Sequence, residues 1–437
     1  MGLQAGLVKL RVGGRVQIET TGGDVLASEI IGFRDGHALC LPFGPLTGVR
    51  LGCKAVFQKS DGAVYPSEAW LGRVINANGE PIDGLGPIAR GAAAYPLRQS
   101  PLPAHERARV GAPLDMGVRT LNTFTTMCEG QRMGIFAGSG VGKSVLMGQM
   151  IAGTECDVIV VGLIGERSRE VSDFVETKLP PEVRKKSVVV AVPANHSPVL
   201  RIRGALRATA IAEGFRAEGK KVLLIMDSLT RVAHAGREIG LALGEPASAR
   251  GYPPSVFSVL PELVESAGNG ENPQGSMSAI YTVLAEGDDQ QDPVVDTARA
   301  ILDGHIVLSR ALAESGHYPA IDVEASASRV MHNVAPPSHL ELARKFRANY
   351  SRYQKSRDLI QLGAYVAGSD PETDRAIVLY PGLQRFLMQD MREAAPMGES
   401  VRGLQTALQE DKPARDATAG NAARGARPHH NPYEGNP

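Results

Sequence analysis

The sequence is poor in several features that mark particular classes of protein. It has 4 cysteines among 437 residues, and they form neither a Cys-x-x-Cys pair nor a pattern with nearby histidines. This indicates free thiols in a reducing, cytosolic compartment and no structural metal. The longest strongly apolar runs, residues 158–164 and 222–226, fall well short of the ~18–20 residues that a membrane helix needs. Residues 1–14 contain no long apolar region, so a secretory signal is not predicted.

Aromatic residues and net charge are also scarce. The chain has 10 Phe, 10 Tyr and 1 Trp, and its 47 basic residues are balanced by 47 acidic ones. Proteins that bind single-stranded nucleic acid combine stacking aromatic side chains with a basic groove. The composition therefore argues against nucleic acid as a partner.

The length predicts two or three domains with a large core. Within residues 1–92, short Val/Ile/Leu runs alternate with glycine turns such as Asn78-Gly79 and Asp83-Gly84. Such spacing predicts a small antiparallel β-barrel or sandwich. Four prolines between residues 93 and 113 predict an extended linker to the next unit.

The pattern changes within residues 93–334, where apolar strands alternate with amphipathic helices, as in a parallel α/β sheet. Ser197-Pro198 predicts the N-cap and first turn of a helix that ends near Ala217. The predicted strands are residues 133–137, 158–164, 187–192, 222–226, 279–284 and 306–309.

The C-terminal part is predicted to contain two different regions. After Pro336-Pro337, apolar residues at helical spacing predict a small helical domain over residues 335–409. Residues 410–437 are mainly Ala, Arg, Gly, Asn and Pro, a composition that predicts disorder. We therefore expect deletion of residues 411–437 to leave the melting temperature and the activity of the protein nearly unchanged.

A glycine-rich loop directly follows the first predicted parallel strand. Residues 137–144 read AGSGVGKS, and they contain glycines that allow backbone N–H groups to surround an anion, a lysine for the β/γ-phosphates and a hydroxyl for Mg²⁺. Ala137 replaces the glycine of the strict pattern, so the match is to its G-x-G-K-S core. The alternative is a glycine-rich turn with an ordinary surface lysine. The predicted nucleotide-binding residues are Gly138, Ser139, Gly140, Val141, Gly142, Lys143, Ser144 and Val145.

Two acidic residues end the next apolar strands. Glu166 follows Gly165, and Asp227 follows residues 222–226. The carboxyl ends of parallel strands meet at the ligand crevice, so Glu166 is predicted to polarise the attacking water and Asp227 to hold the Mg²⁺ shell. The alternative interpretation is that each acid begins a helix.

With these elements in order, the chain resembles the RecA-like hexameric ATPases related to rotary ATP synthases. Within them it is most similar to the flagellum-specific ATPases of the type III export apparatus. The resemblance covers roughly residues 71–381. Its most specific segments are residues 71–84 (LGRVINANGEPIDG), 136–144 (FAGSGVGKS), 162–171 (GLIGERSREV), 227–231 (DSLTR), 251–257 (GYPPSVF), 286–293 (EGDDQQDP) and 301–310 (ILDGHIVLSR).

The resemblance implies roles for further residues. Arg167 and Arg231 would contact phosphate or orient Glu166. Tyr318 would lie against adenine, although it could be an ordinary core tyrosine. Arg329 would be an arginine finger that reaches a neighbour's site, and the alternative for it is a surface salt bridge.

The resemblance also implies a cellular setting. It implies an enzyme that hydrolyses ATP with Mg²⁺ to drive export of flagellar proteins. Its implied partners are the other subunits of a homo-hexamer, a stator-like regulator, a coiled-coil stalk protein, an export-gate membrane protein, and export chaperones with their substrates. The implied location is the cytoplasmic side of the inner membrane, at the flagellar basal body.

Three other functions stay open at this stage. The first is an ATPase of a virulence injectisome, although Gln290, Gln291 and Asp292 match the flagellar version of their loop. The second is an RNA-driven helicase with a RecA-like core. The third is a nucleotide-binding subunit that does not hydrolyse, against which Glu166 argues.

One segment departs from the family pattern. The family usually begins with an amphipathic segment that binds the stator-like regulator, whereas this chain has only Leu3, Leu7 and Leu10 at helical spacing before Gly13-Gly14. We therefore expect only a short helix here, which weakens the case for regulator binding through this segment.

Overall fold

The structure is a computed structural model that describes most of the chain. It describes the backbone of residues 2–4, and in full residues 10–58, 62–98, 102–103, 105–270, 275–285, 287, 289 and 291–409. The predicted disordered region at 410–437 lies outside the described residues, as do Glu286 and Gln290 of the loop that indicates the flagellar subtype. Within the described part, no helix has the length and hydropathy needed to cross a membrane.

The N-terminal region is a five-stranded antiparallel sheet with the order β1-β4-β3-β2-β5. Alternate residues of its strands face a small apolar core of Val16, Ile18, Ile30, Ala38 and Cys40. The strands are β1 (Gly2–Gln4), β2 (Arg15–Glu19), β3 (Val25–Arg34), β4 (His37–Pro42) and β5 (Ala55–Gln58).

The prediction of a short N-terminal helix is wrong at Leu3. Leu3 is extended and pairs with Ala38 of β4. Its backbone groups thus bond to the edge of an existing sheet, whereas an isolated helical turn fixes several residues for few hydrogen bonds. Leu7 lies outside the described residues.

A connecting region joins this sheet to the core. It contains β6 (Ala63–Val64), β7 (Val74–Ile75), β8 (Tyr95–Pro96) and β9 (Pro113–Leu114). β6 pairs with β8, and β7 runs parallel to a strand of the central sheet. Part of the first region is therefore built into the core.

The core is a large, mostly parallel sheet flanked by helices. Its strand order is β18-β17-β11-β16-β14-β12-β13-β7, and all neighbours are parallel except the β17/β18 pair. A short antiparallel strand, β15, pairs with β16. The elements are α1 (Arg119–Phe124), β10 (Met127–Cys128), β11 (Arg132–Ala137), α2 (Lys143–Gly153), β12 (Val158–Ile164), α3 (Ser168–Asp173), α4 (Pro181–Arg184), β13 (Ser187–Val192), α5 (Pro198–Ala217), β14 (Lys221–Asp227), α6 (Leu229–Ala242), α7 (Val256–Glu265), β15 (Gly268–Asn269), β16 (Ser276–Leu284), α8 (Pro293–Ile301), β17 (Gly304–Leu308), α9 (Arg310–Glu314), β18 (Ile321–Ser328) and α10 (Met331–Val334).

The apolar composition of these strands explains their central position. All seven residues of β12 are buried, with Val158 and Val160 in one core cluster and Ile159 and Val161 in another on the opposite face. Each such side chain contributes ~1.5–3 kcal/mol when it is fully buried. Only a strand covered on both faces gains this on every residue.

The six predicted parallel strands and the predicted helix after Pro198 are confirmed. The Ser197 side chain differs from expectation, since it makes no capping hydrogen bond. Its hydroxyl is buried and, within the described part of the chain, has no hydrogen-bond partner.

Three helices follow the core: α11 (Pro337–Gln361), α12 (Pro371–Leu387) and α13 (Met397–Ala407). They pack on α1 through Phe124, whose ring centroid is 4.7 Å from that of Phe346 and 6.2 Å from that of Phe386. The predicted fold class is therefore confirmed: a parallel α/β core with an N-terminal β region and C-terminal helices.

Candidate nucleotide-binding site

The strand order brings the predicted site residues to one edge of the sheet. β11, β16, β14 and β12 are consecutive neighbours and run parallel, so the segments after their carboxyl ends adjoin each other. The loop at residues 138–142 connects β11 to α2. Gly140 and Gly142 have φ values of +79° and +97°, which residues with a side chain rarely adopt.

Lys143 begins α2 and lies between the two predicted acids. Its Nζ contacts Oδ1 of Asp227 closely and is 3.6 Å from Oε1 of Glu166. The exposed fraction of the three side chains is 12% for Lys143, 12% for Glu166 and 5% for Asp227. Thr282 of β16 donates a hydrogen bond to the same Asp227 oxygen. The structure thus joins residues 143, 166 and 227 in one buried cluster.

Burial and neighbouring charges shift the pKa values of Lys143 and Glu166. Burial alone lowers the pKa of Lys143, but the carboxylates of Asp227 and Glu166 raise it above its usual value. Burial, aided by Asp227 and Glu170 and opposed by Lys143, raises the pKa of Glu166 to about 7. The Oε1 atom of Glu166 is buried and, among the residues described, has no hydrogen-bond partner.

The two arginines predicted beside Glu166 lie in different surroundings. The stem of Arg231 covers Gly165, where an added Cβ would be 2.7 Å from Arg231 Cβ. This places Arg231 against the residue before Glu166. Arg167 has a side chain 85% exposed and lies 3.6 Å from Glu170, the acid that helps to raise the pKa of Glu166.

The loop itself presents both buried and exposed residues. Gly138 and Val141 are buried, whereas Ser139, Gly140 and Ser144 are exposed. Val145 is half-buried and faces the adjoining cavity.

This cavity, of 520 Å³, lies beside the phosphate loop. Tyr318 is 47% exposed on its wall, and an added Cβ at Gly142 would lie 3.6 Å from Tyr318 Cε1. The volume is in the range of small-molecule sites, ~300–1,000 Å³. Tyr318 is therefore a wall of the cavity and not a core tyrosine.

Residues 388–391, after α12, also line this cavity. The sequence did not predict them as part of the site. The backbone N–H of Gln389 donates to Tyr318 O at 3.0 Å, and Gln149 Nε2 donates to Asp390 O at 3.1 Å. These residues carry no motif, and only the packing of the C-terminal helices brings them here. Thr282 was also missed, because a single threonine in an apolar strand gives no signal of its own.

Arg329 is the predicted site residue that the structure does not bring to the cluster. It follows β18, which pairs Ile321 with Leu308 and Ser328 with Gly304. At ~3.3 Å per residue, β18 carries the chain about 23 Å, from the phosphate-loop edge to the opposite edge of the sheet. There Arg329 is exposed, and its Nη2 donates to Arg299 O at 3.0 Å.

A parallel sheet, a glycine-rich loop before a helix and a buried lysine between two acids define a P-loop nucleotide-binding protein. The sequence model described as "ATP synthase alpha/beta family, nucleotide-binding domain" matches residues 117–328. A second, described as "T3SS EscN ATPase C-terminal domain", matches residues 335–406.

Individual relatives agree with these family matches. The chain is 48% identical to the flagellum-specific ATP synthase of Caulobacter vibrioides, over 94% of this chain and 93% of that protein. It is 43% identical to the type 3 secretion system ATPase of Pseudomonas syringae pv. syringae, over 92% of this chain and 90% of that protein. The assembled ATPase EscN of enteropathogenic E. coli, solved in complex with its central stalk EscO, is 38% identical, with a TM-score of 0.84 over 93% of this chain and 99% of that chain. The chain belongs to the ATP synthase alpha/beta family, among its flagellum-specific and type III secretion ATPases.

Proposed function

We propose that this protein hydrolyses ATP to drive the export of flagellar proteins through a type III apparatus, working as a homo-hexameric ring. The observation that carries the proposal is the buried cluster of Lys143, Glu166 and Asp227 at the end of the phosphate loop. Its charges lie where the phosphate chain of a nucleotide would be bound.

The residues of the loop fit a phosphate chain and its Mg²⁺. The backbone N–H groups of residues 138–142 would surround the phosphates, and Lys143 would pair with the β- and γ-phosphates. Ser144 and Asp227 are the oxygen ligands that would face Mg²⁺ or its waters. When bound, Mg²⁺ neutralises charge on the phosphate oxygens.

Glu166 is proposed as the general base. Its raised pKa makes the carboxylate a better proton acceptor near neutral pH, where general bases are most effective. Its buried Oε1 is available to a water molecule beside the γ-phosphate. Arg231 would keep Glu166 in place through Gly165, and the exposed Arg167 would contact phosphate. Tyr318 would lie against adenine in the 520 Å³ cavity.

The ring explains the position of Arg329. It lies on the opposite edge of the sheet from its own phosphate loop, and we propose that it completes the site of a neighbouring subunit. A guanidinium there would neutralise charge that develops on the γ-phosphoryl group.

The proposed partners follow the family. A relative assembles with its central stalk, and we propose that this chain likewise contacts a coiled-coil stalk protein. A stator-like regulator, an export-gate membrane protein, and export chaperones with their substrates would be its other partners. It would work at the cytoplasmic face of the inner membrane, at the flagellar basal body. We keep residues 335–409 as its C-terminal helical domain, supported by the family match to residues 335–406.

Deletion of the gene in its own bacterium tests this function. We expect flagellar proteins to disappear from the medium, to return with the wild-type gene and to stay absent with Glu166→Gln. The second candidate is an injectisome ATPase, favoured by the 43% identity to a type 3 secretion system relative. Loss of secreted effectors with normal flagellar export would support that candidate instead.

A further inference from the structure

A second cavity lies away from the nucleotide site. It is bounded by β2, the turn at residues 76–80 and the middle of α5, and its volume is 520 Å³. Four of its described lining residues are arginines: Arg15, Arg90, Arg203 and Arg207. Among those same lining residues, Glu80 is the one acid.

Arg207 is held at this cavity by the turn. Its side chain is on a residue only 5% exposed, and its Nε donates to Ala77 O at 2.8 Å. An added Cβ at Gly79 would lie 2.5 Å from Arg207 Nη1, and Gly79 has a φ of +83°. Both the backbone and the close contact require glycine here. This part of the segment at residues 71–84 therefore positions a guanidinium.

The positive charge around Arg207 is only partly compensated. Arg203 is 3.0 Å from Glu29, and Arg15 donates to the neutral side chain of Asn78. The Nε atoms of Arg15 and Arg203 are buried and, within the described residues, have no hydrogen-bond partner. Burial first, and then the charges of Arg203 and Arg15, lower the pKa of Arg207 to about 9.

We propose that this cavity binds a small, free, phosphate-bearing anion whose oxygens accept hydrogen bonds from Arg207, Arg203 and Arg15. Guanidinium groups match phosphate oxygens in geometry and charge. Buried positive charges that lie close together lower the free energy of unfolding unless a negative charge lies beside them. The Tyr65 ring, which has Arg90 5.5 Å from its centroid, provides a flat wall on the same cavity. The proposal does not depend on the export function.

Inorganic pyrophosphate is the probe that tests the site. It is titrated calorimetrically into the full chain while ADP saturates the nucleotide site. We expect the wild-type protein to bind pyrophosphate under these conditions and its melting temperature to rise with the anion. Arg207→Gln is expected to weaken this binding by about tenfold or more, since it removes a charge-assisted hydrogen bond. Arg375→Gln, on an exposed arginine of α12, is the matched control and should bind as the wild type does.

A second readout separates binding from folding. Without the anion, the melting temperature of Arg207→Gln should equal or exceed that of the wild type, because a repelled, buried charge is removed. If Arg207→Gln does not fold, the half-buried Arg15→Gln takes its place with the same expectation of weakened binding. The proposal is overturned if the wild type takes up no pyrophosphate when ADP is held at the lowest concentration that fills the nucleotide site, so that excess ADP does not compete for the cavity. It is also overturned if the folded cavity variants bind like the wild type, or if Arg375→Gln loses binding equally.

Discussion

Charged side chains at the two edges of the parallel sheet differ in how fully their hydrogen bonds are satisfied. At the carboxyl edge, Lys143 lies between two buried acids, and an oxygen of Glu166 has no hydrogen-bond partner among the described residues. At the amino edge, Arg132 makes a two-bond pair with Asp303 at 3.0 and 3.1 Å, and Arg329 donates to backbone carbonyls. The pair of Arg132 and Asp303 is complete within the fold, whereas a buried carboxylate oxygen without a hydrogen-bond partner indicates a ligand. The following predictions test this difference.

Replacing Lys143 should have the largest effect. Lys143→Ala removes the charge for the β/γ-phosphates and leaves two buried acids facing each other. We expect ATP binding and turnover to fall together, turnover by at least ~10²–10³-fold, as measured by ATPase assay and nucleotide titration. Lys185→Ala, on a lysine 71% exposed, should retain both. Nucleotide affinity that is unchanged in Lys143→Ala would contradict its assignment.

Glu166→Gln should separate binding from hydrolysis. The amide keeps the shape of the side chain but cannot accept the proton, so we expect ATP to bind while turnover falls by ~10²–10⁴-fold. Single-turnover hydrolysis and nucleotide affinity measure the two effects. The exposed Glu182→Gln on α4 is the matched control. Near-normal hydrolysis in Glu166→Gln would exclude it as the base.

The pH dependence should follow Glu166. Since its pKa is raised to about 7, the carboxyl gains a proton as the pH falls through 7 and loses its function as a base. We expect kcat/KM, which reports groups of the free enzyme, to decline by up to about tenfold per pH unit on the acidic side. Glu170 also raises the pKa of Glu166, so Glu170→Gln should move the decline to lower pH. If Glu170→Gln leaves the pH dependence of kcat/KM unchanged, the decline is caused by the titration of a group other than Glu166.

Breaking the ion pair at the amino edge should change stability with little change in catalysis. Arg132→Gln removes the guanidinium that donates two hydrogen bonds to the half-buried carboxylate of Asp303. We therefore expect the free energy of unfolding to fall by ~1–3 kcal/mol. Arg352→Gln, in an exposed ion pair on α11, should cost at most ~1 kcal/mol. Denaturant titration measures both. A large loss of ATPase rate in folded Arg132→Gln would show that the pair of Arg132 and Asp303 itself serves catalysis.

The sequence was sufficient for features that are local in the chain. The phosphate loop and Glu166 come just after apolar strands, Asp227 ends one, and strand topology then brings them together. Thr282 and residues 388–391 were not predicted, because their role depends on contacts between distant segments. Leu3 was misassigned because the free edge of β4 outweighs a weak helical spacing. Arg329 lies away from the cluster of Lys143 because an antiparallel edge strand carries the chain across the sheet, and its role at a neighbouring site stays a prediction.

Mixing two inactive variants tests the shared site most directly. In a ring, Arg329→Ala subunits keep Glu166 and Glu166→Gln subunits keep Arg329, so some interfaces of a mixed ring pair both intact residues. We expect each variant alone to be nearly inactive and the mixture to regain part of the ATPase activity, with activity that rises steeply with protein concentration as rings assemble. The account is contradicted if Arg329→Ala alone is fully active, or if the mixture stays inactive although mixed rings are shown to form.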